Sequence, residues 1–254
     1  MPTGRYYKYR LLLVKIVMSK AASIDLSKQA LTDLAPSCES ICDDDVYWWR
    51  PLNGDIELDT RAKILQAAYR EIHINGFQAA SLNHILAHTG VSKGALYHHF
   101  PNKTALGYAV IDEVIADRIH HSFIAPLLES DDPVSSLIGL IREAGTSFTL
   151  KDIQLGCPLG NLAQEMAPID EGFRFRLNRI YGLWYDAIEQ AVVKAQENGL
   201  IIETVQADQV AVMMVATLEG CLTAGMISQD LNKLLYCGEG LIQYLKLIQK
   251  SQPE

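Results

Sequence analysis

From Thr60 onward apolar positions recur with a helical period, and no stretch alternates as a half-buried strand would. Ile64, Ala67, Ala68 and Ile72 form one stripe. Asp59 or Thr60 can cap that helix, and Gly76 can end it near Asn75. Phe77 is then the apolar residue expected to seal this helix onto the next pair. A short helix is predicted over Ser81 to Ala87, with Leu82, Ile85 and Leu86 on one face. His88-Thr89-Gly90 breaks the period, and Gly90 supplies the left-handed backbone of a tight turn. Val91 points back to the core, and Ser92 caps a second short helix with Leu96 and Phe100 on its buried face. Pro101 stops it. Two short helices around a tight turn form a helix-turn-helix, and the exposed face of the second suits close approach to a DNA backbone and base edges.

The helical period continues to the end of the chain. Asn102 caps a helix from Lys103 to about His121, with Leu106, Val110, Val114 and Ile115 buried. Pro126 and the acidic run Glu129 to Pro133 mark a break. Val134 to about Thr149 is the next helix, followed by a turn at Lys151-Asp152 and a short helix within residues 156–168. Asp170 opens a long helix to about Asn198, lined by Phe173, Leu177, Ile180, Leu183, Trp184 and Ile188, and Gly199 ends it. Asp208 to about Ile227 is apolar around most of its circumference, so it is buried on more than one side. Leu231 to Lys250 is the last helix. These two terminal helices carry more apolar surface than one subunit covers, which predicts a symmetric dimer built on a four-helix interface. The fold class is all-α. A three-helix helix-turn-helix domain, residues 58–118, joins a larger helical regulatory and dimerisation domain, residues 123–254. Residues 1–57 show no period and read as an extension, either disordered or the product of a start assigned too far upstream.

Charge changes this picture in one respect. The chain has 254 residues and a formal net charge of −8, which by itself argues against a nucleic-acid partner. Yet residues 59–122 hold 6 Lys/Arg against 5 Asp/Glu, whereas residues 123–254 hold 9 against 17. The acidic excess therefore lies away from the helix-turn-helix. All seven histidines lie between His73 and His121. Five cysteines without dense spacing imply reduced thiols in a cytoplasm, with Cys221 and Cys237 as core residues. No apolar run approaches the roughly 18 residues that span a bilayer, so no membrane partner is expected.

Residues 60–118 resemble the DNA-binding domain of the TetR family of one-component transcriptional regulators. The run GVSKGALYHHFPNKTAL carries most of the likeness, supported by Ile64, Ala68, Gly76, Phe77, Ser81, Leu82 and Ile85 upstream. Leu86 departs from it, standing where many members have alanine. The resemblance implies a homodimer that reads a palindromic operator in double-stranded DNA and answers to a small-molecule effector, with repression the family's usual sign. It implies that Ser81 and Lys103 contact phosphates, that Leu82 lies beside them, and that Ser92, Lys93, Gly94, Ala95, Tyr97 and His98 form the recognition face. Lys103 also sits where a helix N-terminus and an ammonium together can hold a phosphate.

The C-terminal half resembles one branch of the family's regulatory domains through GCPLGNLAQEM and the following FRFRL. Members of that branch include sensors of electrophiles or oxidants. Cys157 precedes Pro158 at a helix N-terminus, which lowers a thiol's pKa, so it reads either as a sensing thiol or as a small buried residue. Tyr181, Trp184, Tyr185, Met213 and Met214 are collective candidates for a ligand pocket, or core. No paired carboxylates, metal-spaced His/Cys set or nucleophile–base arrangement supports an enzyme, and no cofactor is expected.

Overall fold

The computed structural model describes residues 59–250; the expectations for residues 1–57 lie outside them. Among the described residues the secondary structure is helical apart from one isolated bridge, Ile201 to Gln249. Helix α1 is Thr60–Asn75, capped by the Asp59 carboxylate, which accepts from the Ala62 amide at 2.7 Å. Gly76 ends it at φ 77°, a conformation that suits glycine. Its buried stripe is wider than the periodicity indicated, because Leu65 and Tyr69 join Ile64, Ala68 and Ile72. Helix α2 is Leu82–Thr89, with Ser81 as its cap and Gly90 left-handed at φ 64°. Helix α3 is Lys93–His99, capped by Ser92. Leu96 and Phe100 are buried as expected.

Helix α4 spans 103–128. It starts as Lys103–Ala109, widens into π-type turns at Val110–Ile115 and His120–Ile124, and closes as Ala125–Leu128. The helix expected to end near His121 therefore runs on past Pro126. A wide turn, His120–Ile124, immediately precedes the turn that carries this proline, which has no amide to donate. Residues 119–122, which fall between the two domain ranges, lie inside this helix.

The remaining helices are α5, Pro133–Ser147; α6, Leu150–Leu155; α7, Pro158–Met166; α8, Glu171–Glu197; α9, Ala207–Ser228; and α10, Leu231–Leu247. The turn expected at Lys151-Asp152 is helix α6. Thr149 and Asp152 cap each other's backbone amides, and this reciprocal box starts a helix within three residues. Leu183, expected to line α8's buried face, is exposed. Helix α9 is 22 residues long and, by length and composition, apolar enough to cross a membrane, contrary to the expectation of no such run. Here it packs against α8, α10 and α6. The other correction concerns the thiols: Cys221 and Cys237 form a disulfide joining α9 to α10, with Cα atoms 5.8 Å apart. The short turn at Gln229-Asp230 brings the two helices side by side, a proximity that a separation of 16 residues does not reveal.

The helix-turn-helix is fastened to the regulatory helices through the turn after α1. Phe77, expected to seal α1 onto α2, packs its ring on Phe173 of α8 with centroids 4.6 Å apart. Gly107 lies beneath this pair, and a Cβ there would lie 2.5 Å from Phe77 and 2.9 Å from Phe173. Nearby the Tyr108 hydroxyl donates to the Asp170 carboxylate at 2.8 Å, and the Arg176 guanidinium lies 4.0 Å from the Tyr108 ring centroid. Buried His73 of α1 bonds through Nε2 to the Gly156 carbonyl at 2.9 Å. The carbonyl only accepts, so Nε2 carries the proton.

Two outcomes follow from this seam. Gly107→Ala is expected to cost roughly 1–3 kcal/mol of stability by overpacking against Phe77 and Phe173, measured by urea unfolding. Burial pushes the His73 imidazole down to about 4, helped by the charge of Arg118. Its folded value lies below its unfolded one. The contribution of neutral His73 is therefore complete above about pH 6.5 and declines as pH falls toward 4, by about 1.4 kcal/mol per unit. Unfolding between pH 7.5 and 5 should show this slope, and His73→Gln, which keeps a donor for Gly156, should flatten it.

Candidate nucleic-acid interface and regulatory core

The recognition unit is set by which residues the core claims. Leu96 and Phe100 point inward, so Ser92, Lys93, Gly94, Tyr97 and His98 are left on the outer face, with Ala95 half-buried at its edge. Ser92 Oγ accepts from the Ala95 amide at 3.2 Å, fixing the start of α3. The Lys93 ammonium lies 5.9 Å from the Tyr97 ring centroid. Arg61 holds the far end of α3. Its guanidinium lies 5.1 Å from the Phe100 ring centroid and pairs with Glu113 of α4 through both carboxylate oxygens.

A recess of about 170 Å³ opens between α2 and α3, lined by Ser81, Leu82, Lys93 and Tyr97, with Asn83 and Leu86. Four of the sequence-predicted residues are thus brought together. Asn83 and Leu86 are additions; Asn83 is an exposed polar residue on the first turn of α2, a signal readable from the sequence. Ser81 Oγ accepts from the His84 amide at 3.4 Å, and the Ser81 amide donates to buried Glu71 at 2.8 Å. Glu71, which sequence reasoning did not single out, therefore anchors the start of α2.

Lys103 does not line this recess. Its ammonium donates to the Gln78 carbonyl at 2.9 Å and lies 5.0 Å from the Phe77 ring centroid. An ammonium has three donors, so two remain for another acceptor.

In the regulatory half the predicted pocket residues separate. Trp184 and Met214 are buried, with Phe123 4.9 Å from Trp184, around an apolar void of only about 20 Å³. That is roughly the volume one water needs, and an apolar void of this size stays dry. Tyr181 and Tyr185 stack at 6.1 Å on another part of α8, beside Glu219 of α9. Met213 is exposed.

Cys157 caps α7, its Sγ accepting from the Gly160 amide at 3.5 Å. The helix terminus does not make it a thiolate. Burial pushes the thiol up well above its usual range, and the Glu219 carboxylate adds to this. Burial also raises Glu219, while the neighbouring Cys157 and Tyr181 oppose that rise. Glu219 went unremarked in the sequence; a lone carboxylate within the apolar run from Val210 to Met226 was the available signal. No group of three or more His, Cys, Asp or Glu able to hold a metal ion occurs among the described residues.

Comparison with known proteins agrees with this geometry. Residues 64–110 match the model of bacterial regulatory proteins of the tetR family, and residues 133–236 match a tetracyclin repressor-like C-terminal domain. The chain is 30% identical over 182 residues to the HTH-type transcriptional regulator YxaF of Bacillus subtilis (strain 168), covering 71% of this chain and 92% of that protein. It is 28% identical over 155 residues to the HTH-type transcriptional repressor DhaR of Mycobacterium sp. (strain GP1), covering 61% and 76%. The fold matches a TetR transcriptional regulator from Chloroflexus aurantiacus with a TM-score of 0.67 at 24% identity, covering 76% of this chain and 97% of that one. This chain belongs to the TetR family and is a DNA-binding transcriptional regulator, not an enzyme.

Proposed function

We propose that the protein is a cytoplasmic repressor that binds a palindromic operator as a homodimer and is released by a small-molecule effector. The observation that carries the reading is the outer face of α3, where Lys93, Gly94, Tyr97 and His98 stand clear over buried Leu96 and Phe100. Lys93, Tyr97 and His98 reach backbone or bases. Gly94 and Ala95 keep the helix slim enough to approach the groove, and Ser92 fixes its first turn. Ser81, Leu82 and the free donors of Lys103 meet the phosphates alongside. A relative named as a repressor supports the sign of regulation.

Dimerisation is supported by the outer faces of the last two helices. On α9, Val212, Met213, Ala216, Gly220, Ala224 and Ile227 are exposed; on α10, Tyr236, Gly240 and Leu247 are. Small residues at helical spacing let a second copy's helices approach closely, and apolar Ile227 and Leu247 are 76% and 78% exposed in the single chain. Two recognition helices would then address half-sites about one helical turn apart, ~34–36 Å. An effector that favours another spacing weakens operator binding by its differential affinity, typically ~1–3 kcal/mol. An electrophile is the weaker choice of signal, since the Cys157 thiol is buried and held protonated.

The test is a gel shift on DNA upstream of the protein's own gene across a salt series. Binding should weaken steeply with salt. Lys93→Ala should lower affinity about uniformly across sequences and reduce the salt slope by about one. Absence of binding even at low salt would remove the DNA reading. In sedimentation the chain should run as a dimer, and Ile227→Glu should run as a monomer with operator binding lost.

A further inference from the structure

A cavity of about 330 Å³ lies where the helix-turn-helix domain meets the regulatory helices. It is separate from the small void at Trp184. Its apolar walls are Ile72 of α1, Ile115 of α4, Leu162 of α7 and Met226 of α9, and Gln154 and Asn161 supply amide groups. Glu165 of α7 lies at its edge and reaches across the seam. One carboxylate oxygen accepts from the Phe77 amide and the other from the Gln78 amide, each at 2.8 Å. The carboxylate is also close to Gly76, where a Cβ would lie 3.0 Å from Oε2. The regulatory domain thus holds the backbone of the turn that leads into the recognition unit.

The lining selects the charge and size of an occupant. An anion would meet Glu165, and among the described residues no lysine or arginine lines the cavity to offset it. A cation would compete for the Glu165 carboxylate with the Phe77 and Gln78 amides that engage both its oxygens, and would face the Tyr69 wall, over whose ring the Arg118 guanidinium sits at 5.0 Å from the centroid. An uncharged molecule meets neither penalty. A cavity of ~150 Å³ holds benzene, so this one has room for about two fused rings, with the amides of Gln154 and Asn161 able to bond a hydroxyl.

We propose that this seam cavity is an effector site for uncharged, amphipathic molecules of two-ring size, and that Glu165 transmits their presence to the recognition helix. An occupant wedges α7 away from the end of α1. The two bonds from Glu165 to Phe77 and Gln78 lengthen, and the turn is released from its fixed angle. Only the effect on operator binding rests on the DNA-regulator reading above.

The probe is 1-naphthol, uncharged at pH 7, compared with 1-naphthoate, which has a similar shape and a negative charge. Equilibrium dialysis of the full chain should show saturable binding of naphthol and at least tenfold weaker binding of naphthoate. Leu162→Phe fills the cavity and should abolish binding. Gln154→Trp, at an exposed position on the lining, should also abolish it while leaving thermal unfolding unchanged, and so serves if the buried substitution unfolds the protein. Saturating naphthol should lower operator affinity by about tenfold in the wild type. In Glu165→Gln, which keeps the shape but loses one acceptor, naphthol should still bind with less than a twofold effect on DNA. No naphthol binding, or binding undiminished in Gln154→Trp, overturns the site. Binding without any effect on operator affinity in the wild type, or an undiminished effect in Glu165→Gln, overturns the transmission. A wild-type chain that binds no DNA at all defeats the DNA reading instead, and the dialysis still judges the cavity.

Discussion

The structure depends on the packing of Phe77 against Phe173 over Gly107. A three-helix unit of about forty residues buries too little surface to hold a fixed orientation unaided. The aromatic pair gives it one, because the ring leaves the small domain and enters the regulatory core. Gly107 is the complementary requirement, since any side chain there would occupy the space of both rings. Around this contact the polar groups fall into place: Lys103 and Glu165 satisfy the carbonyl and amides of the same turn from opposite sides. A turn whose backbone groups are bonded to another domain moves only when that domain does.

Elsewhere electrostatics follow burial more than proximity. Cys157 sits at a helix N-terminus, which favours a thiolate, yet burial and neighbouring Glu219 favour the thiol more strongly. His73 is kept neutral by the same burial, although its hydrogen bond to Gly156 favours the charged form. By contrast the Lys93 ammonium stands exposed on the outer face of α3. The net acidity of the chain does not oppose DNA, because its excess belongs to the regulatory half and interactions beyond about 10 Å are screened at 0.1 M salt.

Much of the fold was legible because helices announce themselves locally. Ser92 and Asn102 cap the helices they were expected to cap, Asp59 rather than Thr60 caps α1, and Ser81 and Asp170, expected at the starts of their helices, are the caps there. The exposed face of α3 was legible for the same reason: Leu96 and Phe100 set the buried side within one turn. Relations across long separations were hidden. The Glu165 clamp spans 88 residues, and nothing in either local sequence marks it. The five pocket candidates shared helical spacing, but spacing along α8 and α9 does not say which neighbour fills the space between them. Hence Trp184 and Met214 meet a small apolar void, while Tyr181 and Tyr185 face Glu219.

The amino-acid sequence by itself determined most of the helices, their caps and which side chains of α3 stay exposed, because each is settled by contacts within a turn or two. Only the tertiary structure decided where the domains lock, which thiols pair, how far α4 runs past Pro126, and that a cavity opens at the seam. Those outcomes depend on surfaces from distant segments competing for the same space, and that competition is resolved only when the chain is packed.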